Sequence, residues 1–286
     1  MSITYEDIVK WWQSQRLITT EDYKVILYNF QIIFASNTNS IEGSAVNYYV
    51  AKDVFNNSNL SNYSGNVTDL FYVRNQKFAC EFILQALVRN VPITSTFVKR
   101  LHKILMYGCY DDRRWRRGER PGEFKHHDYC VGTSDIGAYP AEVSGDIEEL
   151  LNELRTTEIT DAVVAGAYFH AAFESIHPFA DGNGRVGRTL LNYFLMSHNL
   201  PPLVIFDSDK MTYYMALEVY NRTGELSGFV QFLKEQTIKT WSHKLQDNSK
   251  KLEWCRNNAP AALSNLSDDE LLQIMDSAYT KYCNTF

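Results

Sequence analysis

The chemistry-bearing residues of this chain crowd into residues 175–188, SIHPFADGNGRVGR. His177 carries an imidazole whose ordinary pKa, about 6.5, suits removal of a proton near neutrality. Gly182 and Gly184 let the backbone take positive φ or approach an anion closely. Arg185 and Arg188 are three apart and share one face of any helix that holds both. Two guanidinium groups beside a nest of backbone N–H groups suit a polyphosphate better than a single carboxylate. Asp181 would repel such phosphates unless a cation lay between. Mg²⁺ fits, because it takes one or two carboxylates together with phosphate oxygens. Singly, each signal has an ordinary reading: a packed or capping histidine, a turn sequence, arginines on a solvated face. Their order and density carry the functional one.

The flanking sequence says how these residues must be held. Asp161–Ile176 reads as a long apolar helix, with Thr160 as its expected N-cap. Leu190, Leu191, Phe194 and Leu195 then resume helical spacing, so a second helix is expected over Arg185–Ser197. The glycines therefore lie in a loop opening onto a helix N-terminus, where unpaired N–H groups and the positive dipole end make an anion site. Helical periodicity governs the rest of the chain. Residues 20–35 put Tyr23, Ile26, Leu27, Phe30, Ile33 and Phe34 on one stripe, started by Thr19 or Thr20 with acidic residues behind it. Further helices are expected over Thr68–Val88, Thr94–Met106, Pro140–Leu154, Asp209–Arg222, Leu226–Leu245 and Asp268–Cys283. Residues 55–66 and 256–262 read as surface turns. Glu123–Ala138 is the one non-helical stretch, with the pattern of a short hairpin.

Composition narrows the function classes. Of 286 residues, 45% are hydrophobic and 22% charged, as in soluble globular proteins. A formal charge of -6 argues against a broad polyanion surface, so no nucleic-acid partner is expected. The basic run 111–120, DDRRWRRGER, is expected to be a solvated loop, with contact to a protein target as the alternative. Five cysteines without a C-x-x-C fit buried thiols in a reducing compartment. His126, His127 and Cys130 do not complete a four-ligand zinc set. His102, His170 and His198 read as packing or surface residues. The first residues lack a basic flank followed by an apolar stretch, and the longest apolar run, Ala162–Phe173, is too short to span a bilayer. No membrane contact and a cytoplasmic location are the expectation.

The stretch at 177–188 resembles the Fic family signature, H-x-F-x-D/E-G-N-G-R-x-x-R. Its specified positions are met by His177, Phe179, Asp181, Gly182, Asn183, Gly184, Arg185 and Arg188. PGEFKHHDYCVG at 121–132 resembles the family's flap entry, with Lys125 where Arg is common. YPAEV at 139–143, DKMTYYMAL at 209–217 and GFVQFL at 228–233 resemble further family segments, so the similarity covers most of residues 30–245. The resemblance implies an all-α fold: a Fic-type helical core with a short β-hairpin flap. It implies an N-terminal helical region over 1–65, a core over 66–245 holding the flap (123–139) and the catalytic loop (177–188), and a C-terminal helical extension over 246–286.

It further implies a protein adenylyltransferase that moves AMP from ATP to a Ser, Thr or Tyr hydroxyl of a target. His177 would be the general base, and Asp181 would hold Mg²⁺ between the α- and β-phosphates. Gly182, Asn183 and Gly184 would cradle the leaving phosphates, assisted by the Asn183 side chain, while Arg185 and Arg188 bind the β- and γ-phosphates. Phe179 would anchor the loop in the core. Asn192, Tyr213 and Tyr214 are candidates for the nucleoside pocket, with helix packing the equal alternative for both tyrosines. The flap would add the target as a strand. Doc-type relatives, which phosphorylate, replace the second glycine and first arginine of the loop; Gly184 and Arg185 are intact here. TNSIEG at 38–43 resembles the inhibitory motif S/T-x-x-x-E-G/N, implying that Glu42 forms a bidentate pair with Arg188 and denies it to the γ-phosphate. De-AMPylation, another phosphate-containing donor, and a nucleotide sensor without catalysis are the alternatives. Relatives often dimerise, so a homodimer is among the expected assemblies.

Overall fold

Two helices carry the motif, and the rest of the fold wraps them. The first, α8 (Ala162–Ile176), and the second, α9 (Asn183–Ser197), are joined by six residues that include His177 and Asp181. Almost every side chain of α9 is buried, as in a helix surrounded by others. Close approach of the pair is set by Gly166, where an added Cβ would stand 3.2 Å from Phe194 and 3.3 Å from Leu191. The structure is a computed structural model that describes residues 3–56, 63–131, 134–135, 137–258, 263 and 266–283.

Around this pair lie α1 (Tyr5–Ser14), α2 (Thr20–Ile41), α3 (Tyr48–Phe55), α4 (Val67–Val88), α5 (Ser95–Leu105), α6 (Asp112–Arg116), α7 (Val143–Thr156), α10 (Lys210–Thr223), α11 (Ser227–Asn258) and α12 (Asp268–Cys283). The fold is predominantly helical. Among the described residues one ladder interrupts it: β1 (Cys130–Val131) pairs antiparallel with β2 (Ser134–Asp135), Cys130 opposite Asp135 and Val131 opposite Ser134. Residues 132–133 between them, and 57–62 of the loop expected over 55–66, lie outside the described residues.

The largest of three apolar clusters among the described residues reaches from Ile8 and Trp12 on α1 through Phe30, Leu84, Phe97 and Ile147 to Phe169, Phe179 and Val186 at the motif. Burying each such side chain contributes about 1.5–3 kcal/mol. The rings of Trp12, Phe30 and Trp241 tie α1, α2 and α11 together. The N-terminal helices are therefore built into the same core as the catalytic loop. This is what gives α2 a fixed position over α9.

Helix ends follow local chemistry. Thr19 caps α2 in a reciprocal capping box with Asp22, and Thr4 does the same for α1 with Asp7. The helix α2 continues six residues past the stripe expected at 20–35. Its last turns bury Ser36, Thr38 and Asn39 along with Phe34, Ala35 and Ile41, so an amphipathic stripe is not what identifies them. Asp161, not Thr160, caps α8: its carboxylate accepts from the N–H groups of Val163 and Val164 at 2.9 and 3.2 Å. The helix α11 runs on to Asn258, so the division expected at residue 245 falls inside it. No described helix is long and apolar enough to cross a membrane.

Candidate active site

His177 terminates α8 in the left-handed region, φ 50° and ψ 60°. Such a conformation costs a non-glycine residue of order 1–2 kcal/mol, so the surroundings must impose it. Pro178 disfavours right-handed helix at residue 177. The non-helical stretch then clamps the backbone on both sides. Lys125 N–H donates to the Pro178 carbonyl at 2.9 Å, and Ala138 N–H donates to the Ile176 carbonyl at 3.0 Å. Gly137 (φ 75°) lies against His177; a Cβ there would come within 2.4 Å of His177 Cβ. Burial, then the nearby Lys125 charge, pushes the His177 imidazole down to about 4. The ring is thus neutral at pH 7, the form a base requires.

Below the histidine the loop is locked from within. Phe179 is fully buried and stacks on His102, ring centres 3.7 Å apart and nearly parallel. His102 accepts from Gly122 N–H through Nδ1 at 2.7 Å, which leaves Nε2–H to donate to the Asp181 carbonyl at 3.0 Å. Burial drives this imidazole down to about 3, so it stays neutral. Asn183 Oδ1 accepts from Phe179 N–H and its Nδ2 donates to the Phe179 carbonyl, both at 2.8 Å. The Asn183 side chain thus braces the loop with its oxygen and an amide N–H, a contact the sequence did not predict. Gly182 (φ 84°) sits at the N-cap of α9, where a Cβ would fall 2.5 Å from Met106 Sδ.

The N–H groups of the first turn of α9, at Asn183, Gly184 and Arg185, have no partner within the helix. A carboxylate already occupies this position. Glu42, at the C-terminal end of α2, places Oε1 where a Cβ on Gly184 would lie 2.3 Å away. Arg188 is 2% exposed; its Nη2 donates to Glu42 Oε1 at 2.6 Å and to the Thr38 carbonyl at 2.9 Å. Its Nε donates to Thr38 Oγ1 at 2.8 Å. The contact with Glu42 runs through one oxygen and Nη2 alone, not the bidentate pair expected, with Nε and Nη2 also held by Thr38. Thr38 and Glu42 are four apart on α2 and so face α9 together. Burial raises the Glu42 carboxyl, but the charges of Arg188 and Arg185 and the Arg188 hydrogen bond outweigh it and hold the group below its ordinary value.

Arg185 is 3% exposed, lies 4.0 Å from the Tyr72 ring centre and donates through Nη2 to Asp181 Oδ1 at 3.0 Å. Its Nε and Nη1 have no hydrogen-bond partner among the described residues. Arg185 lines a cavity of about 160 Å³ with Asn39, Glu42, Ser44, Asp69, Tyr72 and Asp181. Among the described residues no group of three or more His, Cys, Asp or Glu could hold a metal. Asp181 fits only a cation that arrives with phosphate oxygens of its own.

Residues 92–195 match the model of the Fic/DOC family. That stretch is similar to a Fic domain. It is 31% identical over 165 residues to protein adenylyltransferase Fic of Drosophila persimilis, covering 57% of this chain and 30% of that one. The same identity holds over 165 residues with protein adenylyltransferase Fic of Drosophila melanogaster, covering 57% and 32%. The matched region thus spans about a third of these curated relatives. Among solved structures, a Fic domain containing signaling protein from Bacteroides thetaiotaomicron superposes with a TM-score of 0.69 at 24% identity, over 83% of this chain and 94% of that chain. Fic-1 from C. elegans gives 0.72 at 18% identity, over 86% and 71%. These structures share the Fic fold.

Two nucleoside-pocket candidates are packed inside the fold. Asn192 is 2% exposed, and its amide pairs with the backbone of Leu203 in both directions, at 2.9 and 2.8 Å. Tyr213 is buried, with its hydroxyl 2.8 Å from His170 Nε2. Both side chains are thus buried in contacts with the protein itself. Tyr214 differs: it is 43% exposed and its hydroxyl lies 3.5 Å from the Ile41 carbonyl, beside Glu42. Sequence reasoning missed His102, Arg114 and Glu174. Glu174 Oε1 is buried without a hydrogen-bond partner among the described residues, and burial pushes its carboxyl up to about 7. His102 supports the loop from a helix distant in sequence, and nothing local to it signals that contact.

Proposed function

We propose that this protein is an adenylyltransferase that moves AMP from ATP to a Ser, Thr or Tyr hydroxyl of a protein, and that Glu42 restrains it. The observation that carries this reading is the Glu42 carboxylate standing at Gly184 on the N-terminus of α9, paired with buried Arg188. A carboxylate held in that position marks a cradle built for anions. The printed names of the Drosophila relatives support the choice of reaction.

In this reading neutral His177 takes the proton of the incoming hydroxyl. The hydroxyl oxygen forms a bond to the α-phosphorus, the bond from that phosphorus to the bridging oxygen breaks, and pyrophosphate leaves. The first-turn N–H groups of α9 and the spare donors of Arg185 meet the charge gathering on the leaving phosphates. Preorganised donors of this kind are commonly worth about 10²–10³ in rate each. Asp181 would hold Mg²⁺, which supplies neutralising charge to the polyphosphate. Arg188, once free of Glu42, receives the γ-phosphate and so aligns the α-phosphate. Backbone of residues 123–131 and 137–139 would receive an extended segment of the target beside His177.

ATP labelled at either the α- or the γ-phosphate tests this with the Glu42→Gly protein and a cell lysate. Covalent label from the α position alone is expected. Label from γ would mean phosphorylation, and intact ATP binding without covalent label would mean a sensor.

A further inference from the structure

Asp181, read above as the cation ligand, has both carboxylate oxygens engaged. Oδ1 accepts from Arg185, a residue of the motif. Oδ2 lies 3.2 Å from Nη2 of Arg114, which belongs to the basic run expected to be solvated. Arg114 is aimed there by its own helix end. Asp111 caps α6 by accepting from Arg114 N–H at 2.8 Å, and its other oxygen holds Arg114 Nη1 at 2.9 Å. The guanidinium carbon lies 5.7 Å from the Tyr110 ring centre, and Nε is buried without a hydrogen-bond partner among the described residues. The side chain is only 30% exposed. Three restraints thus point one cation at one carboxylate across the mouth of the loop.

We propose that Arg114 takes the divalent cation's place on Asp181 until nucleotide arrives, so that cation binding depends on a polyphosphate. The proposal rests on the reading of Asp181 as the cation ligand. Mg²⁺ bonds carboxylate oxygen at about 2.0–2.1 Å and sheds water reluctantly. A bare cation would have to evict a guanidinium from Oδ2 and then stay beside its positive charge. A cation entering with a triphosphate brings its own compensating charge. Arg114 then keeps Asp111, which already holds its other nitrogen. The device prevents futile loading with metal alone and keeps Asp181 from repelling incoming phosphates.

The test is Mn²⁺ binding to the full chain, read by the electron paramagnetic resonance of free Mn²⁺, with and without ADP. Arg114→Gln should tighten nucleotide-free Mn²⁺ binding by about ten-fold or more, since a facing positive charge is removed. Arg114→Lys, which keeps that charge, should stay near wild type. The gain should vanish when Asp181→Asn is added and shrink when ADP is present. Thermal melts establish that each variant is folded. Unchanged nucleotide-free affinity in a folded Arg114→Gln protein would overturn the proposal, as would a gain that survives Asp181→Asn. If Asp181→Asn leaves ADP-dependent Mn²⁺ binding intact, the underlying reading of Asp181 fails and this proposal falls with it. A protein that shows the predicted gain but transfers no AMP would sink the proposed reaction and leave the role of Arg114 standing.

Discussion

Glu42→Gly raises AMP transfer by about one to two orders of magnitude while lowering the melting temperature. The two effects have one cause. Glu42 puts a negative charge at Gly184, where phosphates must come, and two unit charges about 4 Å apart interact by about 4 kcal/mol at the effective dielectric of a partly exposed site. Relief of part of that repulsion suffices for the rate. Arg188 stays in place without Glu42, because its Nε and Nη2 remain bonded to Thr38. It is nevertheless a buried cation deprived of its carboxylate. Breaking a fully buried pair costs about 3–5 kcal/mol. Glu42 is 31% exposed and Arg188 keeps the Thr38 contacts, so a loss of about 1–2 kcal/mol is expected. Transfer assays and thermal melts of the two proteins check this together. Equal activity would remove the brake from the account. The pair's contribution has a definite pH dependence: Glu42 titrates below its ordinary value in the folded chain, so the stabilisation is present above about 4.5 and fades as pH falls through the lower folded value.

His177→Asn in the Glu42→Gly background removes transfer by about 10²–10⁴-fold and leaves nucleotide affinity within about two-fold. Asparagine is the informative substitute because it tolerates the left-handed conformation. The clamps from Lys125 and Ala138 bind backbone carbonyls at 178 and 176, so they survive the change. The imidazole is not among the groups lining the cavity with Glu42 and Arg185, which is why binding should hold. The pH dependence of kcat/KM for Glu42→Gly provides a second readout, since it reports the free enzyme. His177 is pushed down to about 4 with Glu42 in place, and loss of the Glu42 charge, which raises it, lowers it further, so the neutral base persists well below pH 6.5 and the acidic limb lies at about 4 or lower. A limb near 6.5 would mean an exposed imidazole or a different base.

What the residues revealed in advance was local chemistry. The loop from His177 to Arg188 is legible because base, glycines and arginines fall within one turn and the start of one helix. Thr38 and Glu42 are legible once that loop is recognised, since a spacing of four puts both on the face that meets Arg188. The end of α2 was not legible from periodicity. A helix buried on most sides carries Ser36, Thr38 and Asn39 inward, and no apolar stripe survives. The helices α1 and α3 went unread although Thr4 with Asp7 spells a capping box, because short helices in this chain are recognisable by their caps more than by their stripes. Asn192 and Tyr213 could not be assigned from spacing, since their partners, Leu203 and His170, lie on other segments. Arg114 is the clearest case: composition made it one of a solvated run, and only the folded chain brings it to Asp181.

The claim on which the rest depends is that the N-terminus of α9 holds a triphosphate once Glu42 is gone. A crystal structure of Glu42→Gly with Mg²⁺ and a non-hydrolysable ATP analogue tests it most directly. The account predicts the phosphates at Gly182 and Gly184, the terminal one on Arg188, and the His177 ring facing the α-phosphorus. An analogue bound elsewhere, or a His177 ring turned into the apolar core, would contradict it.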